Sequence, residues 1–509
     1  MDGLPVHALR LKMIPSDRHL LLNARQALKR LSGPKLDEEG QSVLAAVDIV
    51  LNEMMLRRDP IALKDVCERG VDLTQEGLAL APVRGTLPVR LEMVEKSLGA
   101  ASGTEAYDAA YADISTCLDD LVKVLSPLKG AASYLDRVVD WEAGVYAHRM
   151  TELLTPGEVA ADPRERFTAE TFADYLRKKF PSWTDLDVTA FRCIPGGFSK
   201  ITIIADVTDS VNGPRSLVIR AEPPLKFMEL EGADIRNEFP VIGLAFAAGI
   251  PVAEPLWLEE DLQPFGMRFI VSRKVDGRTY GTVKSADEPV PKSAVKDIAE
   301  TLARLHAVDV TRYADKVNAS HLKKWAALSS LPENTRAFIE YWRGQTVLSN
   351  IGVSPLVTRG LAWLSANVPP DEGRPVLIHG DIGLHNILID KGRVTAFLDW
   401  EISRIGDPAE EMTNLLSGTG GAMDAAEVMD LYRSAGGSAL SEYRLRYFDV
   451  YHCVKMAICA LSSLRRVEDY PSANITFAVF GLRFMHYVVS KMNALIRLAE
   501  QARPPGTGS

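Results

Sequence analysis

A chain of 509 residues is too long for one ordinary domain and predicts two or three. Its 47% hydrophobic and 25% charged content gives ample material for a globular core, and a formal net charge of −9 with no lysine/arginine-rich run argues against a nucleic-acid partner. Five scattered cysteines without a CxxC pair fit free thiols in a reducing compartment, the first residues lack a signal-peptide pattern and no apolar run is long enough for a bilayer, so the expected place is the cytoplasm, with no membrane partner.

Residues 1–155 read as an all-α helical bundle. Leu20, Leu21, Leu22, Ala24, Ala27, Leu28 and Leu31 recur at helical spacing, and Ser32-Gly33-Pro34 ends the run. Val43, Leu44, Val47, Ile49, Val50, Met54 and Met55 predict a second helix that stops near Asp59-Pro60. Further helices are expected over 91–98, 105–125 and 131–154. Arg57, Arg58, Lys64 and Asp65 read as a solvated face, and His7, His19 and His148 are isolated. Pro156, Gly157 and Pro163 then mark the clearest boundary in the chain.

A helix is expected over 168–179, with Phe172, Tyr175 and Leu176 on one face. Strand signals follow at 188–194 and 200–207, joined by Pro195-Gly196-Gly197-Phe198-Ser199. Paired glycines let a backbone approach phosphates and present N–H groups, although the same pair also serves as a plain turn. A third strand, 216–221, carries Arg220 near its end, and the helix predicted over 229–248 carries Glu231 and Glu238. The strand at 266–271 runs into Ser272 and the connection closed by Asp276-Gly277. Helices over 294–308, 321–344 and 354–367 lead to the most informative stretch of the chain.

That stretch is 376–401. Apolar Val376-Leu377-Ile378 leads into His379-Gly380-Asp381, and Asn386 comes five residues after Asp381. A short strand at 387–389, a turn at Lys391-Gly392 and a second strand at 394–398 end at Asp399-Trp400-Glu401. Two acids and one amide therefore sit at the ends of short strands, where one edge can gather them. Phosphoryl transfer needs such a set: a carboxylate to orient and deprotonate the attacking hydroxyl, and hard oxygen donors to hold Mg²⁺ against the nucleotide phosphates. Asp381, Asn386 and Asp399 match those needs in order. Helices over 424–435, 441–464 and 473–499 complete the chain.

The pattern H-G-D-x-x-x-x-N, an apolar run and D-W-E resembles the aminoglycoside phosphotransferase (APH)-like kinase superfamily. The resemblance extends over about 167–495 through V-I-R-A-E-P-P at 218–224, G-I-P-V at 249–252, L-A-R-L-H at 302–306 and G-D-P-A-E-E at 406–411. It implies an α+β, bilobal protein-kinase-like fold with a small lobe at 167–275 and a mostly helical large lobe at 276–500, preceded by the all-α bundle. It implies ATP and Mg²⁺ as cofactors, with Asp381 as catalytic base and Asn386 and Asp399 as metal ligands. Gly196, Gly197 and Ser199 would face the phosphates. Arg220 would hold phosphate opposite Glu238, with Glu231 as the competing partner, and Ser272 would open the stretch along the adenine. Asp407 would brace the catalytic loop by accepting backbone N–H bonds, and His306 would be structural. Gly380 stands where protein kinases carry Arg, Trp400-Glu401 replace Phe-Gly, and Arg220 replaces the Lys of many relatives. Arginine is always charged and binds phosphate bidentately, so the role is chemically open to it.

The pattern is most similar to kinases associated with acyl-CoA dehydrogenases, and the stretch 20–60 resembles small helical proteins that accompany such kinases. The substrate implied is a small-molecule hydroxyl, with a 4-hydroxyacyl-CoA as the leading choice. Arg444, Arg446, Lys455, Arg465 and Arg466 offer cations for an anionic substrate, or are ordinary helix-surface charges. An antibiotic phosphotransferase and a pseudokinase or scaffold remain the alternatives, and a homo-oligomer through the first domain stays open.

Overall fold

The computed structural model describes residues 60–81, 85–99, 101, 104–128, 130–146, 167–194, 199–223, 225–226, 228–281, 288–314, 320–419, 421–470 and 475–504. The helices expected at 20–31 and 43–55, and the pair Gly196-Gly197, lie outside the described residues. Among the described residues no helix is long and apolar enough to cross a membrane.

Among the described residues four helices come first: α1 (Pro60–Leu80), α2 (Leu87–Gly99), α3 (Thr104–Leu125) and α4 (Ala132–Tyr146). Helix α1 is missing from the sequence reading, which took Pro60 as a stop and resumed at residue 91. Proline at the first helical position starts a helix, because its absent N–H is one that no helix start can satisfy internally. Gly70 and Gly77 weaken the helical signal further, yet close packing requires both. A Cβ at Gly70 would stand 2.6 Å from Ile114 and 2.7 Å from Trp141, and one at Gly77 would collide with the Tyr134 hydroxyl.

Helix α5 (Ala169–Lys179) starts in a Thr168–Thr171 capping box and precedes five strands. These are β1 (Asp187–Ile194), β2 (Ile201–Thr208) and β3 (Arg215–Ala221), then, after helix α6 (Ile235–Ala247), β4 (Pro255–Glu259) and β5 (Phe269–Arg273). They form one antiparallel sheet in the order β1-β2-β3-β5-β4. Period-two alternation buries Ile203, Ala205 and Val207 of β2 and Leu217, Ile219 and Ala221 of β3. That face, with Phe269 of β5, packs against Phe167, Phe172, Tyr175 and Phe265, whose rings stack, tilt or meet edge to face.

The following chain holds α7 (Lys292–His306), a single turn α8 (Thr311–Ala314), α9 (Ser320–Ala326), α10 (Leu331–Leu348) and α11 (Pro355–Ala366). Two small antiparallel sheets come next. One pairs β6 (Val376–Ile378) with β9 (Arg404–Gly406), and the other pairs β7 (Ile387–Asp390) with β8 (Arg393–Phe397). Helices α12 (Pro408–Gly418), α13 (Ala425–Ser434), α14 (Glu442–Asp469) and α15 (Ile475–Gln501) finish the chain. The architecture is α+β.

The chain divides into two compact units, residues 1–160 with 338–368 and 450–509, and residues 161–337 with 369–449. The first therefore gathers more than the 1–155 segment that the sequence marked off. Within it, the buried Glu142 accepts from the Ser354 hydroxyl and the Leu356 N–H, which caps α11 from α4. Arg359 pairs with Asp136 at 2.5 Å, and Asn493 of α15 donates to the Asp136 carbonyl at 2.9 Å. The second unit holds the five-stranded sheet and the whole 376–401 stretch.

Candidate active site

Strand β6 is buried along its length, and it delivers His379 directly into a loop whose polar groups are bonded internally. The buried Glu411 on α12 accepts from the backbone N–H of His379 at 2.5 Å and of Gly380 at 2.9 Å. Its other oxygen faces His306 Nε2 at 2.8 Å, and His306 Nδ1 lies 2.7 Å from the Tyr432 hydroxyl. Glu411, not Asp407, is thus the carboxylate that braces the loop. Asp407 instead caps α12 through the Ala409 N–H and pairs with the buried Arg444. The motif G-D-P-A-E-E was legible, but one turn of helix separates the two acids, and only the packing tells which faces the loop. His306 is structural, as read.

The His379 ring fixes the loop from inside. Nε2 lies 2.8 Å from the Leu398 carbonyl and donates to it, while Nδ1 accepts from the Asp381 N–H at 3.3 Å. Those two bonds define a neutral imidazole protonated on Nε2. Burial pushes its pKa below the usual value, against the pull of Glu411, Asp381 and Asp399. Gly380 has φ +84°, and a Cβ there would stand 2.5 Å from the Ile402 carbonyl oxygen. This close approach explains glycine where protein kinases carry Arg.

Asp381 is half-buried, and Asn386 reaches back to it: Nδ2 donates to the Asp381 carbonyl at 3.1 Å and to its Oδ2 at 3.0 Å. With its nitrogen committed to Asp381, the Asn386 side chain presents its oxygen on another side. The backbone of Asn386 also receives the Leu398 N–H at 2.8 Å, so the approach to Asp399 is bonded to Asn386 itself. Asp399 has φ +68°, a left-handed conformation that aspartate tolerates better than most residues.

Arg220 on β3 bridges two acids. Its Nη1 lies 2.7 Å from Glu238 Oε1 and its Nη2 2.6 Å from Asp399 Oδ1. Burial opposes its charge, but Glu238 and Asp399 outweigh it and hold the guanidinium above its usual pKa. Glu231 pairs with Lys324 at 3.0 Å, so Glu238 is the helix acid that Arg220 meets. Ser272 sits inside β5 with its backbone in register between Val218 and Pro255, and the N–H groups of Arg273 and Lys274 bond to Glu254 and Ser216. Ser199 comes to the same region through the next residue, Lys200, whose Nζ lies 3.4 Å from Glu401 Oε2.

Glu401 is the residue that the sequence reading passed over. It is nearly buried, and desolvation together with Asp399 pushes its pKa up to about 7. The signal for it was the substitution of Trp-Glu for Phe-Gly after Asp399, a change that adds a carboxylate beside a candidate metal ligand.

Magnesium needs hard oxygen donors, and it usually takes one or two protein side chains plus water and phosphate oxygens. Among the described residues no cluster of three or more His, Cys, Asp or Glu side chains could cage a metal alone. An Asn386 amide oxygen and an Asp399 carboxylate fit that smaller share.

Residues 210–454 match the family described as phosphotransferase enzyme family, APH. The chain carries an APH phosphotransferase-family domain. Among curated proteins, acyl-CoA dehydrogenase family member 11 of Gallus gallus is 27% identical over 262 residues, which is 50% of this chain and 32% of that protein. The match thus spans about a third of the length of such relatives. Hygromycin-B 4-O-kinase of Escherichia coli is 24% identical over 174 residues, 33% of this chain and 48% of that enzyme. A solved macrolide 2'-phosphotransferase type I superposes with a TM-score of 0.43 at 18% identity, covering 63% of this chain and 99% of the other.

Proposed function

We propose that this protein is an ATP- and Mg²⁺-dependent phosphotransferase that moves the γ-phosphoryl group of ATP onto a hydroxyl of a small molecule. The observation that carries the reading is the continuous chain of contacts Glu238–Arg220–Asp399, with Asn386 bonded both to Asp381 and to the backbone leading to Asp399. Asp381 orients the acceptor hydroxyl and receives its proton as the new phosphoester bond forms. Arg220, kept in place by Glu238, binds phosphate oxygens. Gly196, Gly197 and Ser199 would face the phosphates, and the stretch that Ser272 opens would pass along the adenine. Asn386 and Asp399 would hold Mg²⁺, which supplies charge neutralisation at the phosphates. Such transfer depends on positioning and electrostatics more than on covalent chemistry, which suits a loop as heavily braced as 379–386.

For the acceptor we infer a hydroxyacyl-CoA, such as a 4-hydroxyacyl-CoA. The similarity to acyl-CoA dehydrogenase family members supports it. The helix cations do not: Arg444 is buried on Asp407 and Glu372, Arg446 pairs with Asp449 and Glu442, and Arg465 pairs with Glu468 and Asp469. The acids of the region are equally committed, since Glu410 holds Arg404 and Asp424 caps α13. Neither set reports on substrate charge. Similarity to hygromycin-B 4-O-kinase supports the second reading, an antibiotic phosphotransferase.

Two steps test this. Mg²⁺ and ATP together should raise the melting temperature, as a ligand that binds only the folded state must. A phosphate-transfer screen across hydroxyacyl-CoAs, aminoglycosides and macrolides should then show turnover with the first class. No nucleotide response would support the pseudokinase alternative, and turnover with an antibiotic alone would move the substrate assignment.

A further inference from the structure

Two cations reach the turn that carries Asp399 and Glu401. Arg220 is the first. The second is Lys200, at the start of β2, whose side chain is only 3% exposed. Its Nζ donates to the Ala233 carbonyl at 2.6 Å and lies 3.4 Å from Glu401 Oε2. A buried ammonium is kept only where a carboxylate and carbonyls compensate its lost hydration, and here both do.

The partners of Lys200 belong to separate segments of the site. Lys200 brings Ser199, its neighbour in sequence, to the turn that carries Glu401. Ala233 precedes Asp234, the N-cap of α6, and the first turn of α6 carries Glu238, the acid on Arg220. The adjacent Gly232 lies against the Glu401 carbonyl oxygen so closely that a Cβ would collide with it. One ammonium therefore joins the end of the glycine-containing connection, the entry to α6 and the turn after Asp399. Those segments carry Ser199, Glu238 and Asp399, which must face one nucleotide together.

We propose that Lys200 and Glu401 are positioning residues for nucleotide binding, holding Ser199 and the start of α6 against the Asp399 turn so that phosphate- and metal-binding groups stay in register. This rests on the phosphotransferase reading above. It assigns Glu401 a task that explains an acid at a position where a small residue would otherwise suffice. A pair that only stabilised the fold would shift melting without touching nucleotide affinity.

The test is calorimetric titration of Mg²⁺·ATP into the full chain and its Lys200→Met, Glu401→Gln and doubly substituted forms. Melting temperatures without nucleotide are recorded alongside. Each single variant should raise the Kd for Mg²⁺·ATP by about ten- to a hundredfold, since small misplacements in such sites carry penalties of that order. The double variant should bind no worse than the weaker single one, because both remove the same tie. Single variants within about twofold of the parent, or losses that multiply in the double, would overturn the proposal. Should Lys200→Met fail to fold, the near-isosteric Glu401→Gln decides by the same Kd criterion. Failure of the parent to bind Mg²⁺·ATP would instead remove the phosphotransferase reading, and this proposal with it.

Discussion

The two arms of the candidate site are built on opposite plans. The arm from His379 to Asn386 is held by hydrogen bonds: the Glu411 carboxylate takes two backbone N–H groups, the His379 ring bonds at both nitrogens, and Asn386 closes onto Asp381. The arm from Asp399 to Glu401 begins in a left-handed conformation and is held by cations, Arg220 on Asp399 and Lys200 on Glu401. The first arm fixes one geometry regardless of ligand. The second is tied by charges that phosphates and a metal ion would share under the proposed function, which would let this arm respond to nucleotide. A carboxylate that must meet a hydroxyl at one angle belongs on the first, and a carboxylate that must accept a metal belongs on the second.

Breaking the brace of the first arm should have the largest effect. Glu411→Ala leaves two buried N–H groups and His306 without their acceptor, and it should destabilise the protein by about 3–5 kcal/mol. Chemical denaturation would measure this, and a loss below about 1 kcal/mol would show that the arm does not depend on Glu411. On the second arm, Arg220→Ala should raise the apparent KM for ATP by about 10²-fold, with Arg220→Lys recovering part of it. An unchanged KM would mean that Arg220 only ties the acids together. Gly380→Ala should cost about 1–3 kcal/mol through its positive φ and the Ile402 carbonyl. Equal stability would show that the first arm yields more readily than its bonding implies.

The smallest effect is a pH dependence. His379 is buried neutral with a pKa below its usual 6.5, so below that pH the unfolded chain binds a proton that the folded protein refuses. Stability is then full above 6.5 and falls as the pH drops through it, by at most about 1.4 kcal/mol per unit. Urea unfolding from about pH 7.5 to 5.5 should show this slope, and a His379→Gln variant should reduce it. The same slope in both proteins would place the acid sensitivity elsewhere.

The sequence disclosed what local pattern encodes. Strands β1 to β3 alternate in it, and the spacing of Asp381, Asn386 and Asp399 orders them along the chain. The sequence favoured Glu238 over Glu231 as the partner of Arg220, and the structure has that pair; the observed start of α6 at Ile235 leaves Glu231 outside the helix, where Lys324 takes it. Helix α1 was hidden because Pro60 reads as a stop as easily as a first helical residue, and because Gly70 and Gly77 weaken the helical signal although tertiary packing demands both. Strand β9, three residues long, carries no periodicity to detect, although it completes the sheet that delivers His379. Glu411 and Glu401 were readable as residues but not as partners, since a carboxylate's role depends on which groups approach it from distant segments. Three cations of α14 looked available in sequence for the same reason, and ion pairs engage them: Arg444, Arg446 and Arg465.

The central claim is that Asp381 serves as the base toward an acceptor hydroxyl while the second arm holds the nucleotide. Asp381→Asn tests it most directly, because it keeps the size and hydrogen bonding of the side chain and removes the charge. Measured with ATP, Mg²⁺ and whichever acceptor the transfer screen identifies, kcat should fall by about 10²–10⁴-fold, with ATP affinity nearly intact. A variant that turns over at the parent rate would contradict the account.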